Sequence, residues 1–437
     1  MADLKHLARK IFQDTLAAID VTATMQRKLA RVGSRISIGD KHIDLAAYDR
    51  ICAVAFGKGS VAMARGLREV LAPDFAAEGI LVAPHDLLEE VPGFLPMGAG
   101  HPLPDEGSLK AGRAILELLA GCGSRTLVFF PLSGGGSALV EWPLDPRITL
   151  AEIRELYRLL VTCGASIDEI NSVRKHLSAV KGGRLAAAAP ASMKLTYGIT
   201  DVPAGCESAL GSGPTIPDPT TVADACRVIE RYALLARLPA AIREKFEHPG
   251  EIPETPKAGD PAFALAHFEL LLGSRDLFHH AHQAAESYGC ICICDNTTDD
   301  WPLTEAVDYL LGQLERFARS NPGRRVAVIA DGEVSSPVMG NGMGGRNSAF
   351  ALDCVEKIAG KKITVLSAGT DGRDGSSFAA GAVADGETLH RARAAGLDPR
   401  DFANRSDSYT FFHALGDAIE TGPTGINLRD LRILLTE

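Results

Sequence analysis

The feature that most constrains this chain is a pattern that recurs along its 437 residues. A short apolar run leads into a turn rich in glycine or aspartate, and a segment with the apolar spacing of a helix follows. The runs with this pattern are Ile51 to Phe56, Thr126 to Leu132, Leu195 to Thr200, Val326 to Ala330 and Ile363 to Ala368. Apolar strands that alternate with helices are typical of parallel sheets covered on both faces. The pattern therefore predicts an α/β protein.

The length and the proline distribution predict two domains. A chain of 437 residues exceeds the size of a single hydrophobic core. Prolines and glycines accumulate with charged residues from Leu238 to Asp260, which indicates a boundary. We expect a Rossmann-like α/β domain over residues 1–245 and a second α/β domain over residues 246–437, each with helices on both faces of a mainly parallel sheet. An amphipathic helix is predicted from Leu4 to about Leu29, and the composition leaves open that it crosses back to the second domain.

Composition excludes several classes of partner. The formal net charge is −10 and there is no long basic block, which argues against nucleic-acid and anionic-membrane surfaces. The nine cysteines show no paired framework, which favours a reducing compartment. The N-terminus lacks the apolar stretch of a signal peptide, and no run approaches the roughly 18 apolar residues of a membrane span. We expect a cytoplasmic protein, and the sequence is compatible with a homodimer.

The first glycine-rich turn, Gly57-Lys58-Gly59-Ser60, has two interpretations. It follows a predicted strand, opens a helix and formally matches a dinucleotide fingerprint, with Asp86 at the distance of a ribose partner. Lys58 favours a different use, because a lysine at a helix N-terminus opposes the helix dipole unless it faces an anion. A solvent-facing lysine beside a surface turn is the simpler alternative.

The second turn has three successive glycines, Gly134, Gly135 and Gly136, between Ser133 and Ser137. Such a backbone can curl its N–H groups around an oxyanion, and the two hydroxyls add donors. A plain strand-to-helix turn would need only one glycine. We therefore predict a phosphate-binding loop here.

A third loop ends in Gly344, Gly345 and Arg346, and Asp371 follows a later strand. The arginine stands where a Walker loop has lysine, but it can grip two phosphate oxygens at once. Asp371 could accept the proton of a substrate hydroxyl or hold a nucleotide-bound metal. The alternatives are a flexible surface loop and an Asp-Gly turn.

A basic segment with five potential cations runs from Asn171 through Arg174, Lys175 and His176 to Lys181 and Arg184. If the segment were one helix, Arg174 and Lys181 would share a side, so at least one of them would turn toward a ligand. A solvated basic face is the alternative. A separate cluster of His279, His280 and His282 is better explained as a polar helix face than as a metal site.

These residues together resemble the class II glycerate 2-kinases, whose C-terminal part is called the MOFRL domain. The resemblance covers nearly the whole chain. The matching segments are Gly57-Lys58-Gly59, Gly100 to Asp105, Ser133 to Ala138, Asn171 to Leu177, Lys181 to Arg184, Asp201-Val202-Pro203, Gly213-Pro214-Thr215, Gly344 to Asn347, Gly369 to Gly372, Asp407-Ser408-Tyr409 and Thr421 to Gly425.

The resemblance implies an active-site cleft between two α/β domains, ATP and Mg²⁺ as cofactors, and phosphorylation of D-glycerate at its 2-hydroxyl. It implies catalytic roles for Lys58 and Arg346 and places Asp371 in the same cleft. With the turns described above, it leads us to predict that Ser133 to Ser137 and Gly344 with Gly345 bind the nucleotide. The same hypothesis assigns Asn171, Arg174 and Lys175 to the substrate, and Asp201 to the metal.

Two departures and two alternatives stay open. The family usually has an acidic Pro-Gly-Asp-Asp stretch where this chain has Pro203-Ala204-Gly205-Cys206-Glu207, and Ile426 replaces a usual threonine. Some relatives are labelled hydroxypyruvate reductase, so an NAD(P)H-dependent reductase is one alternative. A non-catalytic protein that binds the same metabolites is the other.

Overall fold

The computed structural model describes residues 2–39, 41–200 and 207–437. The chain divides into two compact units, one of Val21–Leu272 and one of Met1–Asp20 with Gly273–Glu437. The helices are α1 (Ala2–Ala18), α2 (Val21–Lys28), α3 (Ser60–Leu71), α4 (Glu106–Ala120), α5 (Gly136–Leu139), α6 (Leu150–Thr162), α7 (Ile167–Leu177), α8 (Arg184–Ala188), α9 (Val222–Arg231), α10 (Ala240–Glu247), α11 (Ser274–Ser287), α12 (Leu303–Ser320), α13 (Arg346–Lys357), α14 (Thr388–Ala394), α15 (Pro399–Asn404) and α16 (Ser408–Ala414). The strands are β1 (Arg31–Val32), β2 (Arg35–Ile38), β3 (Lys41–Asp44), β4 (Arg50–Phe56), β5 (Glu78–Pro84), β6 (Phe94–Ala99), β7 (Thr126–Leu132), β8 (Met193–Ile199), β9 (Ala266–Leu272), β10 (Ile291–Asp295), β11 (Val326–Asp331), β12 (Ile363–Gly369), β13 (Gly381–Asp385), β14 (Ala418–Ile419) and β15 (Asp430–Thr436).

The unit of Val21–Leu272 is built on a six-stranded parallel sheet with the order β6-β5-β4-β7-β8-β9. All seven residues of β7 are buried, because helices cover both faces of a central parallel strand. The strand order reverses between β4 and β7. Loops that leave the carboxyl ends of two such strands border a crevice, and ligands bind there in open α/β sheets.

The helices of this unit begin at sequence-encoded caps and pack in two groups. Asp105, Thr149, Ser166 and Thr221 form capping boxes at α4, α6, α7 and α9. Helix α4 packs with β4, β5 and β7 in one apolar cluster. Helices α6, α7, α9 and α10 share a second cluster, so α7 is held by other helices rather than by the sheet.

The second unit has a mixed sheet with the order β10-β11-β15-β12-β13-β14. Only the β10–β11 pair is parallel, and every other pair in this sheet is antiparallel. The two α/β units are confirmed, and the mainly parallel arrangement holds for the first sheet alone. The second differs because β15, formed by the last residues of the chain, inserts between β11 and β12 in the antiparallel direction.

Helix α1 belongs to the second unit. Lys5 pairs with Asp417 at 2.8 Å, and Arg9 donates to the carbonyl oxygens of Gly416 and Ala418. The chain therefore starts in one unit, builds the other and returns, which is the crossing that the sequence left open. The single helix predicted from Leu4 to about Leu29 is wrong, because α1 ends at Ala18 and α2 begins the other unit at Val21.

The division between the units lies at Leu272 and Gly273, not near residue 245 where prolines and glycines accumulate. Strand β9, at residues 266–272, pairs with β8 and completes the parallel sheet, so the segment after the proline-rich stretch still belongs to the first unit. Within the described ranges, no helix combines the length and the apolar character needed to cross a bilayer.

Candidate functional site

Two glycine-rich turns meet where the strand order reverses. The Ser133 hydroxyl after β7 accepts a hydrogen bond from the Gly59 N–H after β4 at 2.8 Å, and the Lys58 N–H donates to the Gly134 carbonyl oxygen at 2.9 Å. A Cβ atom on Gly57, whose φ is +126°, would lie 2.2 Å from the Ser133 Oγ. The structure thus brings Lys58 and Ser133 together, and only glycine allows this approach.

The His101 ring lies against the triple-glycine turn, and His101 follows a third strand, β6. Gly135 has φ +84°, and a Cβ atom there would lie 3.2 Å from the His101 Nε2 and 3.4 Å from the Lys58 Cγ. His101 follows the end of β6, so the carboxyl ends of β4, β6 and β7 converge on one glycine. His101 lies in the matching segment Gly100 to Asp105, but no role was predicted for it; its place just beyond a strand end was the available signal.

A chain of hydroxyls extends the turn toward α7. Ser137 and Ser212 have their Oγ atoms 2.7 Å apart, and the Ser212 hydroxyl donates to the Asn171 Oδ1 at 3.0 Å. A hydroxyl has one hydrogen, so Ser137 is the donor in the other bond. Asn171, a predicted substrate ligand, is therefore joined through Ser212 to the triple-glycine turn.

Lys175, also a predicted substrate ligand, lies in a buried ion pair. Its Nζ is 3.1 Å from the Asp218 Oδ1, and both side chains are almost fully covered. Burial alone would raise the pKa of Asp218, but Lys175 and hydrogen bonds from Thr220 and Thr255 hold that pKa below its usual value. The position of Lys175 indicates a structural role.

Arg174 has a different environment. Its guanidinium stacks over the Tyr157 ring, 3.9 Å from the centroid, and its buried Nε has no hydrogen-bond partner. Tyr157 in turn donates to the Glu141 carboxylate. Because a stacked guanidinium is held in place while its other N–H groups remain able to donate, Arg174 suits the binding of a carboxylate.

The expectation that Arg174 and Lys181 share one side of a helix is wrong. Helix α7 ends at Leu177, so Lys181 lies beyond it. The Lys181 Nζ is buried 2.8 Å from the Glu141 Oε2 and 3.0 Å from the Val140 carbonyl oxygen. Lys181 therefore stabilises the buried carboxylate of Glu141 inside the protein.

In the second unit, Arg346 is the first residue of α13 and is held by two carboxylates. Its Nε donates to the Asp430 Oδ2 at 2.5 Å, and its Nη2 lies 2.5 Å from the Glu333 Oε1. Burial alone would lower the arginine pKa, but Asp430 and Glu333 keep that pKa above its ordinary value. The guanidinium is charged and its orientation is fixed.

The glycines before Arg346 make contacts within the protein. The Gly344 N–H donates to the Ser376 Oγ and the Gly345 N–H donates to the Ser348 Oγ, both at 3.2 Å. These N–H groups are the ones on which the prediction of a phosphate contact rested. Gly344 and Gly345 therefore shape the start of α13, and the structure gives no support for a nucleotide contact by their N–H groups.

Two aspartates follow β12 in different settings. The half-buried Asp371 accepts a hydrogen bond from the Arg373 N–H at 3.0 Å. Asp374 is buried and accepts from the N–H groups of Asn347 and Ser348 and from the Ser348 hydroxyl, so it caps α13. Burial raises the pKa of Asp374 to about 6 despite these bonds.

A buried cluster of charged residues in the second unit, formed by Asp331, Arg429 and Asp299, was not predicted from the sequence. Asp331, the last residue of β11, is fully buried, and burial raises the pKa of its carboxyl to about 6. Its Oδ2 lies 3.7 Å from the Arg429 Nη1, and Arg429 also pairs with Asp299. Charged residues inside otherwise apolar strands were the available signal.

The predicted metal ligand, Asp201, lies outside the described residues. Within the part of the chain that the structure describes, no group of three or more His, Cys, Asp or Glu side chains is arranged to hold a metal ion. His282 pairs with Glu286 at 3.1 Å along α11, which agrees with the polar helix face predicted for the histidine cluster.

Comparison with known proteins gives the family. Two family models match: a domain of unknown function, DUF4147, over residues 7–247, and the MOFRL family over residues 326–430. A protein named D-glycerate 2-kinase from Thermotoga maritima is 36% identical over 98% of both chains. A putative hydroxypyruvate reductase from Agrobacterium vitis is 38% identical over 88% of this chain and 87% of its own. A human glycerate kinase is 30% identical over 99% of this chain and 93% of its own.

A solved structure agrees with these relatives. The crystal structure of glycerate kinase from Thermotoga maritima superposes with a TM-score of 0.83 at 32% identity, covering all of both chains. The family models, the relatives and the shared fold lead to one assignment: the chain belongs to the class II glycerate 2-kinase family.

Proposed function

We propose that this protein is an ATP-dependent kinase that phosphorylates D-glycerate at its 2-hydroxyl and releases 2-phosphoglycerate. The observation that carries the proposal is the joined pair of turns at the strand-order reversal, with Lys58 beside the triple-glycine turn. Glycine turns of this kind at the ends of parallel strands suit the binding of phosphate groups. Relatives named glycerate kinase support the choice of substrate.

The residues at the turns fit a nucleotide. Gly135, with φ +84°, lets the His101 ring and the stem of the Lys58 side chain lie against the turn, and Lys58 carries a cation. Bound ATP with Mg²⁺ would supply the phosphoryl group and neutralise part of its charge. A nucleotide-bound Mg²⁺ needs only one or two protein carboxylates, so the proposed ligand Asp201 does not require a cluster of three acidic groups.

The side chains then divide the work of phosphoryl transfer. Lys58 balances the charge that develops on the transferring group, and Arg346 has the same role from its fixed position at the start of α13. Asp371 accepts the proton of the substrate hydroxyl. Arg174, oriented by its stacking on Tyr157, holds the substrate carboxylate, with Asn171 on the same helix face.

Three predicted ligands have no part in this mechanism. Lys175 is committed to Asp218, and the N–H groups of Gly344 and Gly345 are committed to serine hydroxyls. That the two units enclose a common cleft stays a prediction from the family resemblance.

A coupled assay tests the proposal. ADP release is measured with and without D-glycerate, and the product is passed to enolase without a phosphoglycerate mutase. We expect ADP release that depends on D-glycerate and direct conversion of the product by enolase, which accepts the 2-phosphate isomer. If enolase converts the product only after a mutase is added, the enzyme phosphorylates the 3-hydroxyl and not the 2-hydroxyl.

The same preparation is tested for the alternative activity, because one relative is named putative hydroxypyruvate reductase. Hydroxypyruvate is added with NADH or NADPH and the absorbance at the reduced nicotinamide band is followed. We expect no oxidation. Nicotinamide oxidation without ADP release would overturn the kinase proposal, and binding of D-glycerate without either reaction would indicate a non-catalytic protein.

A further inference from the structure

Arg429 has an unusual backbone conformation at the point where the chain enters β15. Its φ is +86°, in the left-handed region that residues with a side chain rarely adopt. The residue is also buried. A strained backbone persists only where the surrounding contacts hold it, and such residues cluster at functional sites. The contacts of Arg429 therefore indicate what its conformation serves.

The carbonyl oxygen of Arg429 holds the start of the loop that carries Asp371. The Thr370 N–H donates to this oxygen at 3.1 Å, and the Thr370 hydroxyl donates to it at 2.8 Å. The same hydroxyl accepts a hydrogen bond from the Leu428 N–H at 2.9 Å. Thr370 comes directly before Asp371, so the backbone around Arg429 fixes the direction in which this aspartate leaves β12.

The residue after Arg429 holds the other predicted catalytic side chain of this unit. Asp430 begins β15 and lies opposite Gly369 of β12 in the antiparallel register. Its carboxylate accepts a hydrogen bond from the Nε of Arg346 at 2.5 Å. A change in the backbone angles of Arg429 would therefore displace Asp430 together with the carbonyl oxygen that Thr370 uses.

The guanidinium of Arg429 is anchored by two carboxylates from distant segments. Its Nη2 pairs with Asp299, and its Nη1 lies 3.7 Å from the Oδ2 of the fully buried Asp331. Asp299 is fixed in turn, because it accepts a hydrogen bond from the Glu333 N–H at 2.9 Å. Since the side chain is held in this way, Arg429 cannot rotate to an ordinary φ without losing its ion pairs.

We propose that Arg429 is a positioning residue of the kinase site. Its ion pairs with Asp299 and Asp331 maintain the left-handed backbone, and that backbone sets the places of Asp371 and Arg346. The inference rests on the proposed function. Phosphoryl transfer depends on the placement of such groups, and a displacement of about 1 Å can cost about 100-fold in rate.

Two substitutions at this position separate the backbone conformation from the loss of the guanidinium. Arg429→Ala and Arg429→Gly both leave Asp299 and Asp331 without their cation, but only glycine adopts φ +86° without strain. We expect Arg429→Ala to lower kcat per folded molecule by about tenfold or more, with KM for ATP and for D-glycerate changed less than threefold. Arg429→Gly should recover most of this loss.

Urea unfolding of each variant gives the folded fraction by which kcat is corrected. A residue that only stabilises the fold would give the same kcat per folded molecule in the alanine variant, the glycine variant and the wild type. Equal values in the two variants would overturn the proposal.

A second pair of variants decides the question if neither substitution of Arg429 folds. Thr370→Val removes the hydroxyl that donates to the Arg429 carbonyl oxygen, and Thr370→Ser keeps it. We expect Thr370→Val to lower kcat by about fivefold or more and Thr370→Ser to stay within about threefold of the wild type. The matched control is Thr436→Val at the other end of β15, where the hydroxyl donates to the Lys362 carbonyl oxygen at 2.7 Å. A Thr370→Val protein as active as Thr436→Val would contradict the proposal.

Modification of Arg346 by phenylglyoxal, followed by mass spectrometry of its peptide, tests the positioning without turnover. We expect the rate to rise about fivefold in Arg429→Ala, because Asp430 no longer holds the guanidinium, and to stay near the wild-type rate in Arg429→Gly. If the wild type releases no ADP with D-glycerate, the proposed function fails, while these rates still decide whether Arg429 positions Arg346. Equal rates in Arg429→Ala and the wild type overturn the inference even if the enzyme is a glycerate kinase.

Discussion

Arg346, a predicted catalytic residue, is joined to the buried interior by the carboxylate of Asp430. The Nε of Arg346 donates to the Oδ2 of Asp430 at 2.5 Å, and the Asp430 carboxylate also lies 3.9 Å from the Nη2 of Arg432. Arg432 is fully buried and stacks over Phe350 of α13. Asp430 thus lies between an arginine fixed in the interior and one with a proposed catalytic role.

This contact predicts the effect of Asp430→Asn. The amide keeps the size of the side chain but removes the negative charge that orients Arg346. We expect kcat for glycerate phosphorylation to fall by about tenfold or more, with a smaller change in KM, because the charge opposite the transferring phosphoryl is misplaced. Steady-state kinetics with D-glycerate and ATP measures the change in kcat and the change in KM separately.

A double-mutant cycle shows whether Asp430 acts through Arg346. Arg346→Ala alone should cost about 100-fold in kcat, and the double variant should be no worse. Asp308→Asn, at the exposed partner of Lys357, is the control and should leave kcat unchanged. Fully additive losses in the cycle would show that Asp430 acts independently of Arg346.

Gly57 provides a second prediction, about the junction of the two turns. An alanine there would place Cβ 2.2 Å from the Ser133 Oγ at a φ of +126°. We expect Gly57→Ala to destabilise the protein by about 2 kcal/mol or more and to lower kcat/KM for ATP together with stability. Urea unfolding and ATP kinetics measure the two effects.

Gly123→Ala is the matched control for this change, since a Cβ atom there would have no neighbour within 4 Å. We expect its unfolding midpoint to lie close to that of the wild type. A Gly57→Ala protein as stable and active as Gly123→Ala would mean that the two turns do not meet as described.

Arg174 and Lys175 are neighbours in sequence and should behave differently. Arg174→Ala removes a stacked guanidinium, and we expect KM for D-glycerate to rise about tenfold or more with a modest change in stability. Lys175→Met leaves Asp218 buried without its cation, so we expect a loss of about 3–5 kcal/mol in the free energy of unfolding.

The double variant Lys175→Met with Asp218→Asn should recover part of that stability, because no uncompensated charge is left. Unfolding by urea and glycerate saturation curves are measured for each protein. A normally stable Lys175→Met protein with a raised KM for D-glycerate would instead assign Lys175 to the substrate.

Strand positions and glycine turns were predictable because each depends on local sequence. Runs such as Thr126 to Leu132 are apolar throughout, and only glycine permits the backbone at Gly57 and Gly135. The insertion of β15 between β11 and β12 was not predictable, since strand order depends on pairing between segments 61 to 110 residues apart. The first unit alone has the parallel sheet that the repeating pattern indicated.

The basic segment shows why side-chain roles were harder to predict. Arg174, Lys175 and Lys181 carry the same charge and lie close in sequence, but their partners are Tyr157, Asp218 and Glu141, which come from distant segments. Helical periodicity gave no information about these partners, and the end of α7 at Leu177 removed the assumed periodicity for Lys181. Tertiary contacts decide which cation remains able to meet a ligand.

The buried Asp331 predicts a dependence of stability on pH. Burial raises its pKa to about 6, whereas an aspartate in the unfolded chain titrates near pH 3.9. Between these values the folded protein holds a proton that the unfolded chain has released, so stability falls as the pH rises through this window. The groups that face Asp331 are Arg429, Arg432 and Asp299, and the two arginines only partly offset the effect of burial.

Asp331→Asn removes this titration and keeps the shape of the side chain. We expect the wild type to lose on the order of 2 kcal/mol of stability relative to Asp331→Asn between about pH 4.5 and 7, with no further divergence above that range. Urea unfolding of both proteins at several pH values measures the difference, and Asp374, which also titrates near pH 6, is common to both and cancels. Parallel stability curves would show that the Asp331 carboxyl has an ordinary pKa in the folded protein, and that Arg429 and Arg432 compensate its burial in full.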